Sequence, residues 1–330
     1  ALRGFLMCLV IWGHTLYYNQ EIGKWFTSCY MGTFFFLSGY VYKEKANITF
    51  LQKVKHRTVR LLFPWIVYLC LLILIGAITN PVKSLEDLLL RIAGGLYSRY
   101  TITGENVLLN SYNSTTWYLT ASFLSTILFF VYQEISKDIK KIEMALIFLA
   151  FSVLMMFCPI LLPWSLDSVP MFALFMILGY QFRRLESKLV YTYRIGMMLI
   201  CIVIYGVLVA VNPGINLSIR SYGIYPSAVI RILFCYMICI TGSIIYINIF
   251  QFLCTRWKCI CLVWIGKHTL AFLCTQLVAI GMLENLVGRF SLGSICSEIL
   301  IIIGTIILCT IFCIILELII KVYPKLSILI

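Results

Sequence analysis

Charge is what this sequence has least of, and negative charge above all. Of 330 residues, 12% are charged, with 13 Asp and Glu against 26 Lys and Arg. Soluble domains carry about a quarter charged residues and about half apolar ones. This chain is 62% hydrophobic and its mean hydropathy is +0.99. That excludes a water-soluble globule and defines an integral membrane protein. Alternation of apolar and polar residues over ten-residue segments is also missing, which disfavours a transmembrane β-barrel. Lipid obliges each backbone polar group to find a partner within its span. The expected fold class is therefore all-α, a single polytopic transmembrane domain over residues 1–330.

Further absences narrow the function. The 14 cysteines include no C-x-x-C pair. Most lie in apolar runs such as "CYMIC" (235–239), where Cys acts as a small hydrophobe. Cys254, Cys259 and Cys261 cluster near a loop without a fourth ligand at usable spacing, so no metal is expected. No internal repeat is visible, so the inverted-repeat mark of many transporters is lacking. No signal-peptide pattern precedes the first apolar run, and Ala1 reads as the start of a trimmed chain. A net charge of +13 invites a nucleic-acid reading in a soluble protein. In a membrane protein the same excess belongs to cytoplasmic loops, and no nucleic-acid partner is expected.

What is present is a series of apolar runs, each near the roughly 20 residues that a span requires. Ten are expected, at 2–18, 25–42, 61–79, 116–133, 143–160, 168–182, 194–211, 226–248, 264–284 and 295–320. With the N-terminus inside, alternate connections carry seventeen Lys and Arg, and the others carry six: Lys24, Lys83, Arg91, Arg99, Arg220 and Arg289. The asymmetry places both termini in the cytoplasm. Residues 43–60 read as an inner amphipathic segment, with Asn47 or Thr49 as its cap. Residues 80–115 form the largest outer loop, in which Leu85, Leu88, Leu89 and Ile92 share a helical face.

Chemistry-bearing side chains stand out against this background. Arg3 and His14 are eleven residues apart, so they share a helix face to within roughly 20° at about 16 Å separation. Ionisable groups in a span face a cavity or a partner, and a neutral imidazole can serve as a general base. His14 fits that role, or a packing role with both nitrogens bonded to neighbouring helices. Lys53, Arg57 and Arg60, at i, i+4 and i+7, form a basic face that binds phosphates or anionic lipid head groups. Ser38 and Gly39 in "FFFLSGYVY" serve close helix packing, or Ser38 a nucleophilic role. Asp167 caps the sixth span or orients an imidazole. Trp117 and Tyr118 belong to an interfacial aromatic belt or form a sugar-stacking platform.

Six stretches in order, "LRGFLMCLVIWGHT" (2–15), "FFFLSGYVY" (34–42), "RTVRLLFPW" (57–65), "TWYL" (116–119), "LDSVPMFALFMILGYQFRR" (166–184) and "WIGKHTLAFL" (264–273), resemble the acyltransferase-3 family of membrane-bound acyltransferases. The nearest likeness is to its fucose 4-O-acetylase-like branch. The resemblance implies a ten-helix bundle of a bacterial cytoplasmic membrane. It would move an acetyl or other acyl group from cytoplasmic acyl-CoA to a carbohydrate hydroxyl of a polysaccharide or lipid-linked sugar. It implies functional roles for Arg3 and His14 and for the basic pair Arg57 and Arg60. Two family positions depart: Tyr30 and Gln276 stand where related sequences often carry His.

The expected mechanism places acyl-CoA at Arg57, Arg60, Lys53 and Ser38, with Arg3 assisting. The acceptor lies near Trp117 and Tyr118, and His14 takes its proton, oriented by Asp167. The pantetheine arm would follow the stripe that Arg3 and His14 define. Expected partners are acyl-CoA, the carbohydrate acceptor, membrane lipids and a second copy as a homodimer. A transporter or glycan flippase without acyl transfer is the rival reading.

Overall fold

A computed structural model describes residues 1–15, 19–44, 48–99, 106–107, 115–135, 141–155, 157–158, 160–211, 227–290 and 293–329. It is built from helices α1 (Leu2–Gly13), α2 (Gln20–Thr27), α3 (Tyr30–Tyr40), α4 (Phe50–Arg57), α5 (Phe63–Thr79), α6 (Leu85–Tyr97), α7 (Trp117–Ile135), α8 (Lys141–Met155), α9 (Val169–Glu186), α10 (Tyr191–Val211), α11 (Ala228–Arg256), α12 (Ile260–Lys267), α13 (Thr269–Val287) and α14 (Ser294–Val322). Among the described residues, seven helical segments are long and apolar enough to cross a membrane, and Leu2–Gly13 and Glu143–Met155 are apolar but shorter. Among the described residues, one two-residue parallel strand pair, Asn106–Val107 with Ile160–Leu161, stands beside the helices. The fold is that of an all-α membrane protein.

Each expected apolar run is helical over most of its described length, but several differ from a plain span; the fifth is helical only to Met155, and Ile160 at its end lies in the strand pair. The first is helical only to Gly13, followed by a turn at His14 and Thr15; residues 16–18 lie outside the described residues. The second is two helices. Asn19 caps α2 by accepting from the N–H groups of Glu21 (3.1 Å) and Ile22 (3.2 Å). Thr27 and Ser28 then bond back to the carbonyls of Gly23 (3.0 Å) and Lys24 (2.7 Å). Such hydroxyls compete with the helix ladder and favour a break. The ninth breaks at His268, whose Nδ1 lies 2.9 Å from the Trp264 carbonyl.

The inner segment also departs from expectation. Thr49, with Gln52, forms the capping box of α4. Regular helix ends at Arg57, because residues Thr58–Leu62 form a wider π turn. Pro64 explains it: its ring crowds the carbonyl four residues back, at Arg60, and it has no N–H to bond it. The even i, i+4, i+7 face of Lys53, Arg57 and Arg60 is therefore interrupted before Arg60. In the 80–115 loop, α6 forms as the pattern predicts, capped by Ser84. Its leucine face is left open, with Leu85, Leu89 and Leu90 exposed.

The chain divides into two compact units. The first comprises Ala1–Phe34, Leu189–Leu217 and Phe234–Ile330. Within it α1 packs on α2, α12, α13 and α14, and α13 lies along α14. Gly4 makes the α1–α12 approach: a Cβ there would fall 2.0 Å from the Leu262 carbonyl oxygen. The second unit comprises Phe35–Lys188 and Ser218–Leu233. There α7 packs on α4 and α9, α8 on α9, and α5 on α6. Gly39 and Gly179 bring α3 and α9 into backbone contact. A Cβ at either would meet a carbonyl oxygen, that of Met176 at 1.8 Å or of Phe36 at 1.9 Å. Small residues permit this approach, and it is the usual means of helix association in lipid.

Candidate functional site

The first unit places Arg3 in the opening turn of α1 and His14 directly after its last turn. Both are exposed. Among the described residues, neither the Arg3 guanidinium nor the His14 imidazole has a hydrogen-bond or ion-pair partner, so both are available to a ligand. The expected polar stripe between them is not continuous. Met7 and Val10 share that face by helical rotation, and they are buried at 0% and 2% exposure. Arg3 and His14 thus open at opposite ends of α1.

The His14 end holds further functional groups. Glu298, in the first turns of α14, is buried and accepts a hydrogen bond from the Trp12 indole through Oε1. The Asn19 N–H approaches the same oxygen at 3.4 Å. Tyr30, at one departing family position, sets its hydroxyl 3.7 Å from the place of a Cβ on Gly13. The second departing position, Gln276 on α13, is fully buried, and neither side-chain amide atom has a partner among the described residues.

In the second unit, Asp167 is the centre of a buried polar group. Its Oδ2 accepts from Arg99 Nη2 at 2.8 Å and from the Ser168 hydroxyl at 3.0 Å. Its Oδ1 accepts from the Leu162 N–H at 3.2 Å. Both partners of the ion pair are 2% exposed. The expected cap of α9 by Asp167 is not what forms. Ser168 is the N-cap, without a side-chain bond, because the carboxylate is drawn to the guanidinium instead. Backbone strain gathers here: Ser98, Trp164 and Ser165 have φ of 47°, 55° and 57°. Non-glycine residues adopt that region only where their surroundings hold them there.

Trp117 and Tyr118 open α7 beside this group. Both are half-buried. Trp117 packs on Phe172 at 5.9 Å and Tyr118 on Phe35 at 5.2 Å, while Phe35 and Phe172 stack at 4.2 Å. Ser98 and Thr120 share a 3.0 Å hydrogen bond that ties the end of α6 to α7. Asp167, two residues before α9, and Trp117 and Tyr118, at the start of α7, therefore lie in one region of the second unit.

The far end of the same helices is ionic. Lys53 pairs with Glu134 at 3.1 Å. Arg183 donates to the carbonyls of Tyr40 and Tyr42 at 3.3 Å each, and the Tyr40 hydroxyl donates to Glu186. Arg57 is half-buried, and Arg60 is exposed. Arg60 has no ion-pair partner among the described residues. Trp117 and Glu134 are seventeen residues apart on α7, which is about 25 Å of helix. That matches a hydrocarbon core of about 30 Å, so the two polar ends are a membrane apart. Ser38 is half-buried beside Gly39 at the α3–α9 crossing, a packing position.

Sequence reasoning missed Arg99, Glu298 and Glu134. Arg99 was counted as a loop charge, and nothing in its spacing from Asp167 marks a pair. Glu298 had a signal: a carboxylate inside an apolar run is a functional hypothesis by default.

Helices of this length and composition define a multi-pass membrane protein. The acyltransferase-3 family model, described as an acyltransferase domain, matches residues 1–317. The chain belongs to that family and is a membrane acyltransferase. No curated protein and no solved structure matches it.

Proposed function

We propose that this acyltransferase moves an acetyl group from cytoplasmic acetyl-CoA to a hydroxyl of a cell-envelope carbohydrate, with His14 as general base. The observation that carries the reading is the exposed imidazole at the end of α1, without a hydrogen-bond or ion-pair partner among the described residues. His14 takes the hydroxyl proton as the acceptor oxygen attacks the thioester carbonyl. A C–O bond forms, the C–S bond breaks, and the imidazolium returns its proton to the CoA thiolate. Arg57 and Arg60 bind the CoA phosphates as charge-assisted donors, with Lys53 and Arg3 assisting. Arg60 is the strongest of these, being exposed and unpaired, whereas Lys53 already serves Glu134. Trp117 and Tyr118 offer aromatic faces to a sugar ring. The chain spans the bacterial cytoplasmic membrane ten times with both termini inside.

Purified protein incubated with labelled acetyl-CoA tests the reading. It should bind the thioester and release free CoA only when a polysaccharide or lipid-linked sugar acceptor is present. Arg60→Ala should raise the KM for acetyl-CoA roughly tenfold, about the worth of one charge-assisted phosphate contact. A protein that neither binds acetyl-CoA nor releases CoA with any carbohydrate acceptor would sink the proposal.

A further inference from the structure

The geometry points to Arg184 and Tyr180 as a stacking platform for the adenine ring of the donor, a specificity element beyond the proposed phosphate contacts of Arg57 and Arg60. The inference rests on acyl-CoA being that donor. Both residues lie in the last turns of α9, in the stretch "YQFRR" (180–184). Residues four apart share a helix face, and the Arg184 guanidinium carbon stands 5.6 Å from the centre of the Tyr180 ring. Arg184 is exposed and Tyr180 half-buried. Apart from that ring contact, the Arg184 guanidinium has no hydrogen-bond or ion-pair partner among the described residues. Its neighbour Arg183 is committed elsewhere, donating to the carbonyls of Tyr40 and Tyr42.

An aromatic bed holds Tyr180 in place. Its ring meets Phe129 at 5.8 Å and Tyr42 at 6.1 Å, both edge-on. Tyr42 in turn meets Phe129 at 5.0 Å. Gln181, the next residue on α9, donates to the Tyr132 hydroxyl at 2.6 Å and ties this turn to α7. Arg57 lies within electrostatic reach of the Tyr42 hydroxyl, so the platform adjoins a side chain that the proposed reading gives to the CoA phosphates. The nearby carboxylates are Glu44, Glu134 and Glu186. Glu134 serves Lys53, Glu186 accepts from the Tyr40 hydroxyl, and Glu44 is exposed. Nucleobases stack on aromatic rings and on guanidinium planes, whereas a lipid head group is drawn by charge alone. The adenine is the one planar aromatic ring of acyl-CoA.

The test compares two donors, acetyl-CoA and S-acetyl-pantetheine, which carries the same thioester arm without the nucleotide. Arg184→Ala should raise the KM for acetyl-CoA roughly tenfold, within the range of one lost base stack, with kcat within about twofold of wild type. With S-acetyl-pantetheine both constants should stay within about twofold. Arg184→Lys keeps the charge but not the plane, so its KM for acetyl-CoA should stay raised by roughly fivefold. Tyr180→Leu should follow Arg184→Ala, and Tyr180→Phe, which keeps the ring, should rescue the loss. Inhibition by adenosine diphosphate should weaken in Arg184→Ala far more than inhibition by inorganic pyrophosphate. Equal losses with the two donors would make Arg184 a structural contact and overturn the platform. Equal losses for adenosine diphosphate and pyrophosphate, which is charge alone, would overturn it too. So would a loss confined to nanodiscs of anionic lipid, which marks a head-group site. Wild-type protein that transfers from neither donor overturns the acetyl-CoA reading itself.

Discussion

At the scale of single residues, the sharpest feature is the ion pair of Arg99 and Asp167, both 2% exposed. Removing one partner of a buried pair leaves an uncompensated charge and typically costs about 3–5 kcal/mol. Asp167→Asn and Arg99→Met should each lower the melting temperature in detergent by many degrees, and the double variant by less than the two together. Equal and additive losses would show that the charges are not coupled. At the protein surface, Asp87 is bonded by Arg91 through Nε and Nη2, each at 3.0 Å. The Arg91 hydrogen bonds, then that of the Lys83 N–H, hold its carboxyl below the ordinary 3.8. A depressed folded pKa means a contribution present above the unfolded value and lost as pH falls through the folded one. Protection of the α6 amides, taken relative to the intrinsic exchange rate at each pH, should therefore fall below about pH 4, the range of an unperturbed Asp. In Asp87→Asn that acid step should vanish.

At the scale of elements, the sequence was legible wherever one physical rule decided the outcome. Hydrophobic runs marked the long apolar helices, and Thr49, one of two expected caps, closes the start of α4; the π turn after Arg57 was not expected, although Pro64 accounts for it. Breaks at Ser28 and His268 were not legible, because each depends on a side chain choosing a backbone carbonyl over the ladder. The pairing of Trp12 with Glu298, 286 residues apart, follows from tertiary packing and leaves no local pattern. Glycine was legible as a packing residue, and its geometry gives a direct test. Gly39→Leu or Gly179→Val would drive a side chain into a backbone carbonyl, which cannot yield as a side chain does. Both variants should lose folded yield on solubilisation, whereas Gly196→Ala, with nothing within 4 Å of the added Cβ, should not.

At the scale of the whole molecule, family membership and the helical membrane architecture agree on what the chain is built to do. Polar groups collect at the two ends of α7 and α9, about a membrane thickness apart. In the proposed reaction, donor and acceptor would approach from those opposite sides. In the proposed route, the buried Met7 and Val10 between Arg3 and His14 would stand in the path of the thioester arm. The central claim is that His14 activates the acceptor hydroxyl. Single-turnover transfer from labelled acetyl-CoA to carbohydrate, measured for wild type and for His14→Ala of equal monodispersity, tests it most directly. The account predicts labelled product from the wild type and at least about a hundredfold slower transfer from the variant, the scale of general-base catalysis. Undiminished transfer by His14→Ala would contradict it.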